Sequence, residues 1–284
     1  MNEFMNSSSR KSAATKYIFK ATLFCIVFTG IFIVFSFLKG FLPADLERLS
    51  HGIIGTAAAF LTTYLFLKSD KKTFADIGLK SESKTIVRFV SGIVIGILIM
   101  GLLIAGVFYF SDVEINVNPE STLLSFLLMS APLIPLAFME ELGFRAYPLE
   151  ILKNTVGIRT AIIITSVLFA LYHIVNGWSV TTSFSGPAIW GLIFGLAAVY
   201  SKGIALPTGI HYAANLTSSA FSDTKNKSSI WIVEQSGKLT AKEPGSIDLT
   251  LIIPGLILFI FAVLCMEIYI RSRMVKEGVN SYAK

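Results

Sequence analysis

Long apolar runs alternate with short polar breaks along this chain. The runs fall at 17–38, 51–67, 88–110, 121–153, 158–176, 187–200, 203–218 and 249–270. Most approach or exceed the roughly 18–20 residues that cross a bilayer as a helix. The pattern predicts an all-α fold, a polytopic membrane bundle of eight transmembrane helices. The fourth run reads as one long helix whose last third leaves the apolar core, with a kink at Pro148. The sixth and seventh are short and bounded by glycine. No internal repeat or low-complexity tract interrupts the series. Residues 1–120 hold the first three helices and their loops, 121–218 a helical core, 219–248 a polar loop, and 249–284 the last helix with a basic tail.

Lys and Arg set an expected orientation. With the N-terminus inside, 18 of the 24 basic residues fall in segments on the inner side. The third loop, SDVEINVNPE, has none and lies outside, as does the mixed-charge loop 219–248. Eight spans with both termini cytoplasmic therefore satisfy the positive-inside rule. Seven spans would carry the basic C-terminal cluster outside. The start of the chain, basic and then apolar from Ile18 to Leu38 but for Lys20, reads as an uncleaved first span.

Composition agrees with this. The chain is 54% hydrophobic and 15% charged, against about 25% charged in soluble domains, and its mean hydropathy is +0.70. The net charge of +6 belongs to loop asymmetry, and no nucleic-acid partner is implied. Cys25 and Cys265 sit in apolar runs as small hydrophobes, not as a disulfide or a zinc knuckle. The bilayer is the expected surrounding, and the short loops suit a bacterial plasma membrane.

Against that apolar background, FMEELGFR stands out at 138–145. It follows Ser121–Met139, a stretch with no charge. A charged group at the bilayer centre costs about 2.5–3.5 kcal/mol, so such residues face the bundle interior and mark a site by default. The competing reading ends the helix at Met139 and makes EELGFR an interfacial loop. Against it, AYPLEILKN resumes helical spacing, which favours a helix to about Asn154. Glu141 and Arg145, four apart with the acid first, suit an ion pair. Glu140 points about 100° away and is left free. A carboxylate in an apolar pocket is a competent general base.

His173 lies near the end of its run, in FALYH. Counted from a turn near residue 155, Glu140 and His173 sit about 22 and 27 Å up neighbouring helices, at similar depth. His211 and Asn215 share a helix face one turn apart, in GIHYAAN. Each feature has a bland alternative as a hydrogen bond between helices. His51 carries no assigned chemistry, and Trp178, Trp190 and Trp231 read as interface anchors or packing residues. Together, Glu140, Glu141, His173, His211 and Asn215 could activate water and hold an oxyanion. Glu140, His173 and His211 could also ligate zinc with an open position, although the soluble HExxH motif is absent.

These residues resemble a known family. EELGFR fits EExxxR, FALYH fits FxxxH, and HYAAN fits HxxxN, in that order across roughly 131–218. The family is the CPBP group of type II CAAX prenyl endopeptidases and bacteriocin-processing or bacteriocin-immunity proteins, also called the Abi family of intramembrane proteases. The resemblance implies an eight-helix endopeptidase in which Glu140 and His173 activate water. His211 and Asn215 would stabilise the oxyanion, and Glu141 and Arg145 would support the site. It leaves open a zinc-dependent or a metal-free mechanism. Gly143 and Ala146 depart from the pattern, where a larger apolar residue and a glycine are expected. The implied substrate is a peptide or membrane protein, prenylated in one branch of the family. A non-catalytic immunity or scaffolding protein and a proton-relaying transporter are the other classes to weigh; the chain lacks the repeat symmetry common in transporters.

Overall fold

The computed structural model describes residues 7–43, 46–110, 113–222, 229–235 and 249–276. Most of the loop 219–248 and the end of the basic tail lie outside them. The chain forms α1 (Ser7–Ser36), α2 (Glu47–Ser69), α3 (Thr85–Phe110), α4 (Leu123–Ser130), α5 (Leu133–Glu141), α6 (Tyr147–Val156), α7 (Ile158–Val175), α8 (Val180–Ser185), α9 (Pro187–Ser201), α10 (Ala205–Ser219) and α11 (Leu249–Lys276). Large apolar side chains project outward from the outer helices; Leu102 is 77% exposed and Leu264 56%. That surface is soluble only in lipid, since soluble proteins rarely leave such apolar faces uncovered.

Seven described stretches are long and apolar enough to span a membrane: 11–41, 49–69, 85–109, 123–156, 158–175, 180–201 and 253–276. The expected seventh span, α10, has 15 residues. It is about 22 Å long, shorter than the hydrocarbon core of about 30 Å. It crosses inside the bundle, with Leu206, Ile210, His211, Ala213 and Ala214 buried.

A small sheet shows that α10 counts as a crossing. β1 (Val113–Val117) pairs antiparallel with β3 (Trp231–Gln235), and β2 (Phe221–Ser222) lies parallel to β3 on its other side. Asn118 adds a buried amide bond to the Ser229 carbonyl at 2.9 Å. The loop after α3 and the chain after α10 thus meet at one end of the bundle. Only an even number of crossings between them allows this, and α10 completes the four. Neither the sheet nor α8 was foreseen in the apolar pattern, because both lie in short polar segments.

The fourth span is not one uniform helix. Pro132 separates α4 from α5, and residues Leu142–Ala146 form a π-helical turn joining α5 to α6. The expected kink near Pro148 takes this form. Proline has no N–H to give the Phe144 carbonyl and its ring would strike that oxygen, so the preceding turn widens. The site-bearing Glu141 sits directly before the widened turn. At Gly143 the missing side chain makes room for Phe28: a Cβ there would lie 2.7 Å from the Phe28 ring. The departure from the larger residue of the family pattern is thus filled from α1.

Glycine also sets the tightest helix pair. α3 and α10 run parallel, and a Cβ at Gly92 would lie 2.3 Å from the Leu206 carbonyl oxygen. One at Gly209 would lie 2.1 Å from the Phe89 carbonyl oxygen. Gly92 and Gly96 are four apart, the small-residue spacing that lets membrane helices touch backbone to backbone. Gly209→Ala is therefore expected to cost about 1–3 kcal/mol through overpacking. Thermal unfolding in detergent measures it, with Gly101→Ala as control because a Cβ at Gly101 meets nothing within 4 Å.

At the opposite end from the sheet, Lys20 of α1 pairs with Asp70, which also accepts a bond from the Tyr147 hydroxyl at 2.7 Å. Lys20, the one charged residue in the first apolar run, is thereby explained. Burial pushes the Asp70 carboxyl up, but the bonds from Lys20 and Tyr147 and the charges of Lys20 and Lys72 outweigh it and hold it below the ordinary carboxylate range. A depressed carboxylate stabilises the fold above its unfolded pKa, and that contribution is lost as pH falls through the folded value. Asp70→Asn should lower the melting temperature at pH 7 and leave little difference from wild type in strong acid. A constant gap across pH would show that the charge contributes nothing.

Candidate active site

The buried polar groups of α5, the π turn and α10 meet at one imidazole. Glu141 and Arg145 are joined at 3.3 Å between Oε1 and Nη1, both side chains fully enclosed. This is the ion pair that their spacing predicts. His211 adds what one helix cannot reveal: its Nδ1 lies 2.8 Å from the same Glu141 Oε1, and its Nε2 lies 3.3 Å from Glu140 Oε2. Glu140 is therefore not left free, as the helix-face count suggested. Its direct contact is with His211 and not with His173. The partner comes from a helix 70 residues further along the chain, so no local spacing encodes it.

Two carboxylates on one ring constrain protons. If Nδ1–H donates to Glu141, the Nε2–Glu140 contact needs one more proton, held on His211 or on Glu140. Both carboxylates and the ring are buried. Arg145 supplies the fixed positive charge beside it. Its guanidinium lies 4.2 Å from the Phe169 ring centre and 5.3 Å from that of Phe194. Nε and Nη2 of Arg145 and Oε2 of Glu141 are buried without a hydrogen-bond partner. The aromatic faces offset part of that deficit through cation–π attraction.

His173 lies against Phe169, the ring that also meets Arg145 and His211. Its Nδ1 donates to the Phe169 carbonyl at 2.9 Å, which directs Nε2 away from that bond. Phe169 meets the His173 ring edge-on at 4.5 Å and the His211 ring at 6.0 Å. Phe194 stacks on His211 at 4.4 Å. A cavity of about 220 Å³ is lined by His173, His211 and Asn215 together with Phe169, Trp178, Trp190, Phe194, Gly186, Pro187, Ala214 and Ser218. Glu140 does not line it; the carboxylate reaches the cavity through His211. Trp178 and Trp190, read from sequence as anchors or packing residues, also line this cavity. The spacing of Pro187, Trp190 and Phe194 on one face of α9 carries that signal. The adjoining face, Gly191 and Gly195, lets α7 approach, since a Cβ at Gly191 would lie 2.9 Å from Ser166 Oγ.

Among the described residues no three His, Cys, Asp or Glu side chains converge to hold a metal ion. Both nitrogens of His211 face carboxylates. As arranged, Glu140, His173 and His211 do not fit a three-ligand zinc site, and no step below is routed through a metal.

The fold and the site define a polytopic helical membrane protein with a carboxylate–imidazole cluster sealed in its core. Residues 120–217 match the family model for Type II CAAX prenyl endopeptidase Rce1-like proteins. The matched stretch runs from just before α4 into the end of α10, and all three motifs fall within it. No curated protein matches the chain.

Proposed function

We propose that this protein is an intramembrane endopeptidase of a bacterial plasma membrane. The observation that carries the reading is the convergence of Glu140 and Glu141 on His211 at the wall of a cavity that also holds His173 and Asn215. A peptide carbonyl seated there takes a hydrogen bond from His211 Nε2–H and from the Asn215 amide. That bond releases Glu140 Oε2 from His211, and Glu140 and the free Nε2 of His173 then orient a water. Glu140 removes its proton as the water oxygen bonds to the carbonyl carbon. The oxyanion is held by His211 and Asn215, and donors preorganised in a dry site are worth more than in water. The C–N bond then breaks as the proton passes from Glu140 to the leaving amine. Glu141 and Arg145 keep the imidazole in place throughout.

The test is hydrolysis of quenched-fluorescent peptides, prenylated and unprenylated, by the purified protein in detergent. Cleavage that survives a chelator supports the metal-free route, and loss of cleavage on chelation and its return with zinc would overturn that route. If no peptide of the panel is cut, a non-catalytic role such as bacteriocin self-immunity gains the weight.

A further inference from the structure

The two ends of the bundle are unlike. One gathers the turn at Gly157, the turn at Lys202 and the loop after α2, where a Cβ on Gly78 would lie 2.7 Å from the Lys202 carbonyl oxygen. The C-terminal part of α11 joins them through Arg159 and Glu267, paired at 2.6 and 2.7 Å. Lys20, Lys68, Lys84, Arg159, Lys202 and Arg271 all belong to this end. At the other end Lys39 and Arg48 are the only Lys and Arg among the described residues, and the small sheet lies there.

The cavity lies toward that second end. His173 lies two residues before the end of α7, Asn215 and Ser218 lie in the last turns of α10, and Pro187 begins α9. From Ile158 to His173 the helix climbs about 22 Å away from the basic turn. Around the mouth, Val175, Trp178, Val180 and Phe184 are exposed, with Trp178 at 48%. An apolar rim with a tryptophan is suited to lie in the headgroup boundary of one leaflet.

We infer that the catalytic cavity opens on the extracytoplasmic side and takes an apolar segment of an exported or membrane-anchored peptide from the outer leaflet. The basic end marks the cytoplasmic side by the positive-inside rule, and the cavity is at the other. The substrate class rests on the peptidase reading; the sidedness does not. A cytosolic prenylated C-terminus would have to cross most of the bilayer from the basic end, so this class is not the substrate. The rings of Phe169, Trp178, Trp190 and Phe194 favour an apolar side chain beside the cleaved bond.

Sidedness is read by labelling single cysteines with a membrane-impermeant maleimide in a full-length chain carrying Cys25→Ala and Cys265→Ala. Thr181→Cys, exposed at the cavity rim, is expected to label in intact spheroplasts of an expressing bacterium. Ser83→Cys, exposed in the loop after α2, is expected to label only after permeabilisation. The reverse pattern, or equal labelling of both, overturns the inference. In a second arm, wild-type spheroplasts are given a water-soluble quenched peptide with an apolar centre. Spheroplasts are expected to cut it and sealed inside-out vesicles are not. Cleavage confined to inside-out vesicles overturns the substrate class. Labelling as expected with no cleavage in either preparation or in detergent sinks the peptidase reading while the sidedness stands.

Discussion

Glu140→Gln is expected to leave a folded protein whose peptide cleavage falls by about 10²–10⁴-fold, the range of a lost general base. The amide keeps the size of the side chain and can still meet His211, so packing in the core is preserved. What it loses is the ability to take a proton from water and return it to the leaving amine. Glu140 is 7% exposed and its Oε2 contact is with His211 at 3.3 Å. The Glu141 contact to His211 stays in place, and the amide oxygen of glutamine can accept from the ring where the carboxylate did, so no buried group is left unpaired. The measurement pairs initial cleavage rates with thermal unfolding in the same detergent. Full activity in the folded variant would mean that the base lies elsewhere, with His173 the next to test.

Arg145→Ala should give the opposite pattern: a protein that folds poorly, with activity lost as a consequence. The guanidinium is enclosed, pairs with Glu141 and lies on Phe169 and Phe194. Its removal strands the Glu141 charge, and breaking a buried pair from one side costs about 3–5 kcal/mol. The emptied volume beside two phenylalanines adds to this. A melting temperature lower by roughly ten degrees is expected, or loss of expression. Arg145→Lys should recover only part of the stability, because an ammonium restores charge without the planar face that stacks on the rings. If Arg145→Ala melts with the wild type, Arg145 is not the clamp of this site.

The contrast between these two neighbours on one turn was partly legible in the sequence. The spacing of Glu141 and Arg145 encodes their pairing, because residues four apart on a helix touch whatever surrounds them. The role of Glu140 was misjudged as free, since its partner His211 comes from α10. His173 shows the same limit: similar depth on neighbouring helices did not bring it into direct contact with Glu140, whose contact is His211 on α10. Pro187, Trp190 and Phe194 share a face of α9 by spacing, but whether that face meets lipid or a cavity depended on the helices packed around it. Gly92 and Gly96 were a readable signal for the close approach of α3 to α10, but which helix would fill the groove depended on the whole bundle.

The sequence by itself determined the class of the molecule and the parts of its chemistry. Apolar runs of spanning length, basic loops on alternate sides and the motifs EELGFR, FALYH and HYAAN are all local properties, set by the cost of exposing backbone or charge to lipid. The tertiary structure alone decided that α10 crosses as a short enclosed leg, that the fourth span breaks at Pro132 and widens before Pro148, and that both glutamates meet one histidine. It also placed the cavity at the end away from the basic turns. These follow from contacts between residues far apart in the chain, where packing and shared protons, not spacing along a helix, choose the partner.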